Sequence, residues 1–132
     1  MNVYLLCAAI LVILYFLLSL NVSRNRVRLR IGIGSDDLRT GPLSKSIRAQ
    51  GNAAEYIPIF VALFLYFNTV GAAAWVSWVV IAVTACRILH PIGMFLSADL
   101  NGPQVFRFLG ASGSYVGGIA LGVALFMRAA SS

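Results

Sequence analysis

Charge is what this chain has least of. Of its 132 residues only 11% are charged, where a soluble globular domain carries about 25%. Hydrophobic residues make up 60%. That balance excludes a soluble globular domain, and it equally excludes a disordered chain, which is polar and charged. An integral membrane protein remains. The single histidine, His90, excludes a multi-histidine metal site. The two cysteines, Cys7 and Cys86, are far apart and sit inside apolar segments. A disulfide framework or a zinc site needs closely spaced ligands, so neither is expected, and no metal is. Neither cysteine reads as a nucleophile, because apolar surroundings disfavour the reactive thiolate. Acidic residues number four: Asp36, Asp37, Glu55 and Asp99.

What is present is four long apolar stretches, at about residues 3–20, 46–69, 72–95 and 104–127. Each is close to the roughly 20 residues that a helix needs to cross the hydrocarbon. They are too long and too continuously apolar for barrel strands. The first lacks a basic leader and a small-residue cleavage site, so a retained span is expected rather than a signal peptide. The expected fold is an all-α membrane protein, a four-transmembrane-helix bundle. Its single domain covers 1–132, with helices at about 3–28, 45–69, 72–96 and 104–129.

The net charge of +6 is uneven. Arg24, Arg26, Arg28, Arg30, Arg39, Lys45 and Arg48 all fall between residues 24 and 48. Lys and Arg in short loops stay on the cytoplasmic side, so this region is expected inside and the N-terminus outside. Arg128, at the outer end, is a minor exception. No nucleic-acid partner is expected, since a groove-reading soluble surface is missing. With this topology Arg48, Arg87 and Arg107 all fall in cytoplasmic halves of their helices. In the last stretch Gly113/Gly117 and Gly118/Gly122 are small-xxx-small pairs that permit close helix packing.

The second stretch opens with "SIRAQGNAAEYIPIF". On a helix Arg48, Asn52, Glu55 and Tyr56 share a face. Charged groups inside a span are expensive unless paired, and they usually mark a site. Arg48 alone could be an interfacial anchor that snorkels. Glu55 lies about 10 Å deeper at 1.5 Å per residue, too far to pair with Arg48. By depth its expected cross-helix partner is Arg87. Pro58 frees a backbone carbonyl and either opens a pocket beside Glu55 or makes a packing kink. His90 is a ligand contact or a satisfied structural residue, and Arg107 a site residue or an interfacial anchor. Arginine forks bind carboxylates bidentately. Glutathione offers two carboxylates, an ammonium group for Glu55, amides for Asn52 and a thiol. An arginine beside the sulfur would favour the nucleophilic thiolate. The second substrate would be apolar and reach the site from the bilayer.

Arg48, Ala49, Gln50, Asn52, Glu55, Pro58 and Ile59 together match the pattern R-A-[QH]-x-N-x-x-E-x-x-P-[LIF]. The segment resembles the signature of the MAPEG proteins, the membrane-associated proteins of eicosanoid and glutathione metabolism. Tyr56 and Phe60 match the leukotriene-C synthase version. The resemblance implies a homotrimer in the lipid bilayer, with glutathione as co-substrate between neighbouring subunits near the cytoplasmic side. By motif Arg48, Asn52, Glu55 and Tyr56 carry over as glutathione contacts, with Gln50 reaching across the interface. Arg87 and His90 resemble the R-x-x-[YH] pair of the third helix. Arg107 corresponds to the arginine that stabilises the thiolate. The family also uses an arginine at the end of the first helix, for which Arg24 and Arg28 both qualify. Two departures stand out. Met94 occupies the position of a family tyrosine, and the segment from His90 to Arg107 is longer than in the eicosanoid enzymes. The short chain and loops look like a bacterial inner-membrane member. The expected function is therefore a glutathione transferase, with peroxidase activity a further possibility, acting on lipophilic electrophiles. The alternative is a non-enzymatic relative that binds lipid or a partner membrane protein.

Overall fold

The computed structural model describes residues 2–131. The apolar stretches form four helices: α1 (Val3–Leu29), α2 (Pro42–Val70), α3 (Ala74–Leu96) and α4 (Val105–Ala130). All four are long and apolar enough to cross a membrane. The shortest has 23 residues, and at 1.5 Å per residue that exceeds a hydrocarbon core of about 30 Å.

α2 begins at Pro42, three residues before the expected start. Gly41 is the N-cap and Pro42 the first helical residue, where a missing N–H costs nothing. The free N–H groups of the first turn are satisfied from the preceding loop. The Asp36 carboxylate accepts from Leu43 at 3.0 Å and from Ser44 at 2.8 Å. That carboxylate leaves no room for a side chain at Gly41, where a Cβ would lie 2.3 Å from Asp36 Cγ. α1 ends on Arg30 in the left-handed conformation, φ 56°. Just before it, Arg26 ties down the loop by donating to the carbonyls of Ile31, Gly32 and Gly34.

α3 is the central helix and packs on the other three. Leu11, Phe64, Val80, Val83 and Leu121, drawn from all four helices, are fully buried between them. The α3–α4 seam is closest where glycines meet backbone. A Cβ at Gly93 would come 2.3 Å from the Arg107 nitrogen, and one at Gly110 would come 2.6 Å from the His90 nitrogen. Of the two expected small-residue pairs, Gly113/Gly117 lies in this seam, against Cys86 and Val83. The other pair is a correction. Gly118 only touches the Phe60 ring and Gly122 faces open space, because α4 turns that side away from α3. Phe16, Trp78, Val116 and Phe126 are exposed on the flanks, as a lipid-facing surface requires.

Candidate functional site

Helical phase decides how α2 presents its polar residues. Taking about 100° per residue, Glu55 and Arg48 lie about 20° apart, with Asn52 and Tyr56 rotated a further 40–80° from Arg48. The rotation is toward the buried side, where Ala49, Ala53 and Phe60 pack. Accordingly Asn52 and Tyr56 are half-buried, while Arg48 and Glu55 are exposed along the edge. Gln50 is half-buried.

Arg87 does not pair with Glu55, which corrects the expected ion pair. Its side chain is only 2% exposed and lies on the inward face of α3. Nε donates to Ser114 Oγ at 2.7 Å, Nη1 to Asn52 Oδ1 at 3.0 Å and Nη2 to the Gly110 carbonyl at 3.4 Å. The guanidinium also sits 4.8 Å from the centre of the Tyr56 ring, within cation–π range. Neutral acceptors and an aromatic face thus replace a carboxylate. The cation joins α2 and α4, helped by Tyr56 and Tyr115, whose ring centres are 5.8 Å apart. Among the described residues Glu55 makes no hydrogen bond and no ion pair. Its edge of α2 points away from α3.

Arg107 stands in the first turn of α4. Its Nη1 and Nη2 donate to the carbonyls of Leu100 and Gly102, each at 2.7 Å. Its backbone N–H is capped by Gln104 Oε1 at 2.7 Å. Two of five guanidinium donors are thereby used. Arg48 and Arg107 line one cavity of about 500 Å³, with Ser35, Ser44, Met94 and Asn101 around them. Met94, the residue in place of a family tyrosine, brings a thioether to that wall. His90 is 5% exposed. It lines a separate, more apolar cavity of about 670 Å³ with Val105, Phe108 and Ala111, and Arg107 borders this one too. Arg24 and Arg28 are exposed on α1 and form no hydrogen bond or ion pair among the described residues. Within one chain, then, Arg48 and Arg107 share a cavity, Asn52 and Tyr56 meet at Arg87, and Glu55, Arg24 and Arg28 stand outside both groups.

Some polar contacts had no motif to announce them. Asn25 is buried and donates to Ser46 Oγ at 2.8 Å, as Asn21 does at 3.0 Å, tying α1 to the start of α2. The i, i+4 spacing of the two asparagines was the available signal. Arg39 of the first loop pairs with Asp99 of the second. The Arg39 guanidinium and the Asn101 backbone N–H hold the Asp99 carboxyl below its usual range. For Asp36, burial pushes upward, but the Leu43 and Ser44 donors outweigh it and its pKa is lowered.

This polar edge on α2 and the four spanning helices set the context for comparison with known proteins. Residues 4–127 match the MAPEG family. The chain belongs to the MAPEG family. A relative, "Inner membrane protein YecN" of Escherichia coli strain K12, is 34% identical over 89 residues, covering 67% of this chain and 66% of that protein. The protein of the same name from Escherichia coli O6:H1 gives the same figures. The matched part of this MAPEG chain therefore spans just under two thirds of these curated relatives. No solved structure matches it.

Proposed function

We propose that this MAPEG chain is a glutathione-dependent transferase or peroxidase acting on lipophilic electrophiles at the membrane. The observation that carries the reading is the cavity shared by Arg48 and Arg107, which come from different helices. Arg48 is free to fork onto a glutathione carboxylate. Glu55, without a partner among the described residues, suits the ammonium group. Asn52 spends its oxygen on Arg87 and keeps its amide N–H groups for a peptide carbonyl. Arg107 keeps three N–H donors for the sulfur. Loss of the thiol proton to water leaves a thiolate, which Arg107 stabilises. In the transferase reaction that thiolate forms a bond to the electrophilic carbon, and the leaving group departs with its electron pair. In the peroxidase reaction it forms a bond to the terminal hydroperoxide oxygen as the O–O bond breaks, and the departing alkoxide takes a proton from water and leaves as the alcohol. A second glutathione then converts the sulfenic acid to disulfide and water.

A homotrimer is part of the same reading. A carboxylate facing lipid is costly, and a neighbouring copy would cover the Arg48–Glu55 edge and bring Gln50, His90 and an α1 arginine, Arg24 or Arg28, within reach. The loops at 30–41 and 97–104 would then face the cytoplasm of a bacterial inner membrane, with the N-terminus outside. The test uses purified protein with glutathione and a soluble aryl halide. Conjugation should appear, and Arg107→Ala should reduce kcat by about 10²–10³-fold, as loss of a transition-state donor does. A second reading, a non-enzymatic lipid- or partner-binding protein, is favoured by Met94 and by the two loop carbonyls on Arg107. It predicts no conjugation and no thiolate absorbance when glutathione is added near neutral pH.

A further inference from the structure

Leu100 is the peptide unit through which the two basic-end loops meet Arg107. Its N–H donates to the Arg39 carbonyl at 2.8 Å. Its own carbonyl accepts from Arg107 Nη1, and its side chain packs against the edge of the core. The neighbouring Asp99 receives the Arg39 guanidinium on both carboxylate oxygens. The Asp99 carbonyl holds the Gly102 N–H at 3.1 Å, and Gly102 supplies the second carbonyl on Arg107. Asp99 thus stands within three residues of both carbonyls that grip the guanidinium. The Arg39 end is fixed as well. Asp37 Oδ1 accepts the N–H groups of Arg39 and Thr40, closing a turn immediately before α2. Among the described residues, the Arg39–Asp99 pair and the Leu100 N–H are the hydrogen bonds that join the two loops.

We infer that the Arg39–Asp99 pair is a positioning device for Arg107. Acting through the Leu100 and Gly102 carbonyls, it sets the direction in which the remaining guanidinium N–H groups face the cavity shared with Arg48. An exposed ion pair contributes little to stability. Its consequence here is the pose of a cation, transmitted by backbone rather than by contact with ligand. Arg39 and Asp99 are positioning residues and touch no reacting atom. The chemical consequence rests on the transferase reading, while the geometry does not.

The test has two readouts on the full chain in lipid nanodiscs. The first is the side-chain nitrogen resonance of Arg107 in protein carrying labelled arginine, compared among wild type, Asp99→Asn, Arg39→Gln and the double variant. The second is the thiolate absorbance of added glutathione in the same set. Each single substitution should shift the Arg107 resonance. Each should lower the bound thiolate by about two- to fivefold, the range an exposed ion pair supports. The double variant should fall no further, since the two residues act as one unit. An Arg107 resonance unmoved by all three variants overturns the inference. A shifted resonance with no thiolate even in wild type upholds the positioning device and defeats the transferase reading instead.

Discussion

Arg87 carries a cation into the middle of three helices with no carboxylate paired to it among the described residues. Asn52, Ser114 and the Gly110 carbonyl take its hydrogen bonds, and the Tyr56 ring takes its flat face. Removing it strands Asn52 Oδ1, leaves Ser114 only its bond to the Gly110 carbonyl and opens a void, so Arg87→Ala should destabilise the fold by about 2–4 kcal/mol. Thermal unfolding in detergent reads this. A change below about 0.5 kcal/mol would contradict the arrangement, because that is the range of an uninvolved surface site. The polar residues of α2 were legible from their spacing alone. Their partners were not. Periodicity gives the angle between Asn52 and Glu55 around one helix, but it is silent on how α3 is rotated toward them. Depth alone therefore suggested Glu55 for Arg87, and rotation gave it Asn52.

At the scale of the element, the α3–α4 seam depends on absent side chains. A Cβ at Gly110 would meet His90 and Cys86 backbone inside 3 Å, whereas one at Gly122 meets nothing. Gly110→Val should therefore cost about 1–3 kcal/mol, the usual cost of overpacking, and Gly122→Ala should be neutral or slightly stabilising. Equal effects in a melting experiment would mean the seam is elsewhere. The start of α2 makes a second case. Asp36 has a lowered pKa in the folded chain, so its capping contribution is complete above the unfolded value of about 3.9. It is lost as pH falls through the lower folded value. Protection of the Leu43 and Ser44 amides, relative to their intrinsic exchange rates, should fall only below about pH 4, and in Asp36→Asn that acid-dependent step should vanish. The four helices were readable because apolar runs of this length have no other structural outcome in a bilayer. The position of the first turn of α2 was not readable, because its capping carboxylate lies seven residues upstream of Leu43 rather than at the N-cap.

At the scale of the whole molecule, one chain brings only some of the candidate residues together. Arg48 and Arg107 share a cavity, Arg87 locks Asn52 and Tyr56 in place, and Glu55 remains on an exposed edge with no partner among the described residues. The Arg39–Asp99 contact across 60 residues of chain had no local signature, and with it the loop arrangement around Arg107 was out of reach of sequence reasoning. The MAPEG signature named the candidate residues. The structure sorts them into those that hold the bundle together and those without a partner among the described residues. The most direct test of that division is equilibrium binding of labelled glutathione to the purified protein, Arg48→Ala, Glu55→Gln and Arg24→Ala. Saturable binding is predicted for wild type, weakened about ten- to hundredfold by Arg48→Ala and by Glu55→Gln, as expected for hydrogen bonds to charged groups. No saturable binding in wild type, or binding indifferent to both Arg48 and Glu55, would contradict the account.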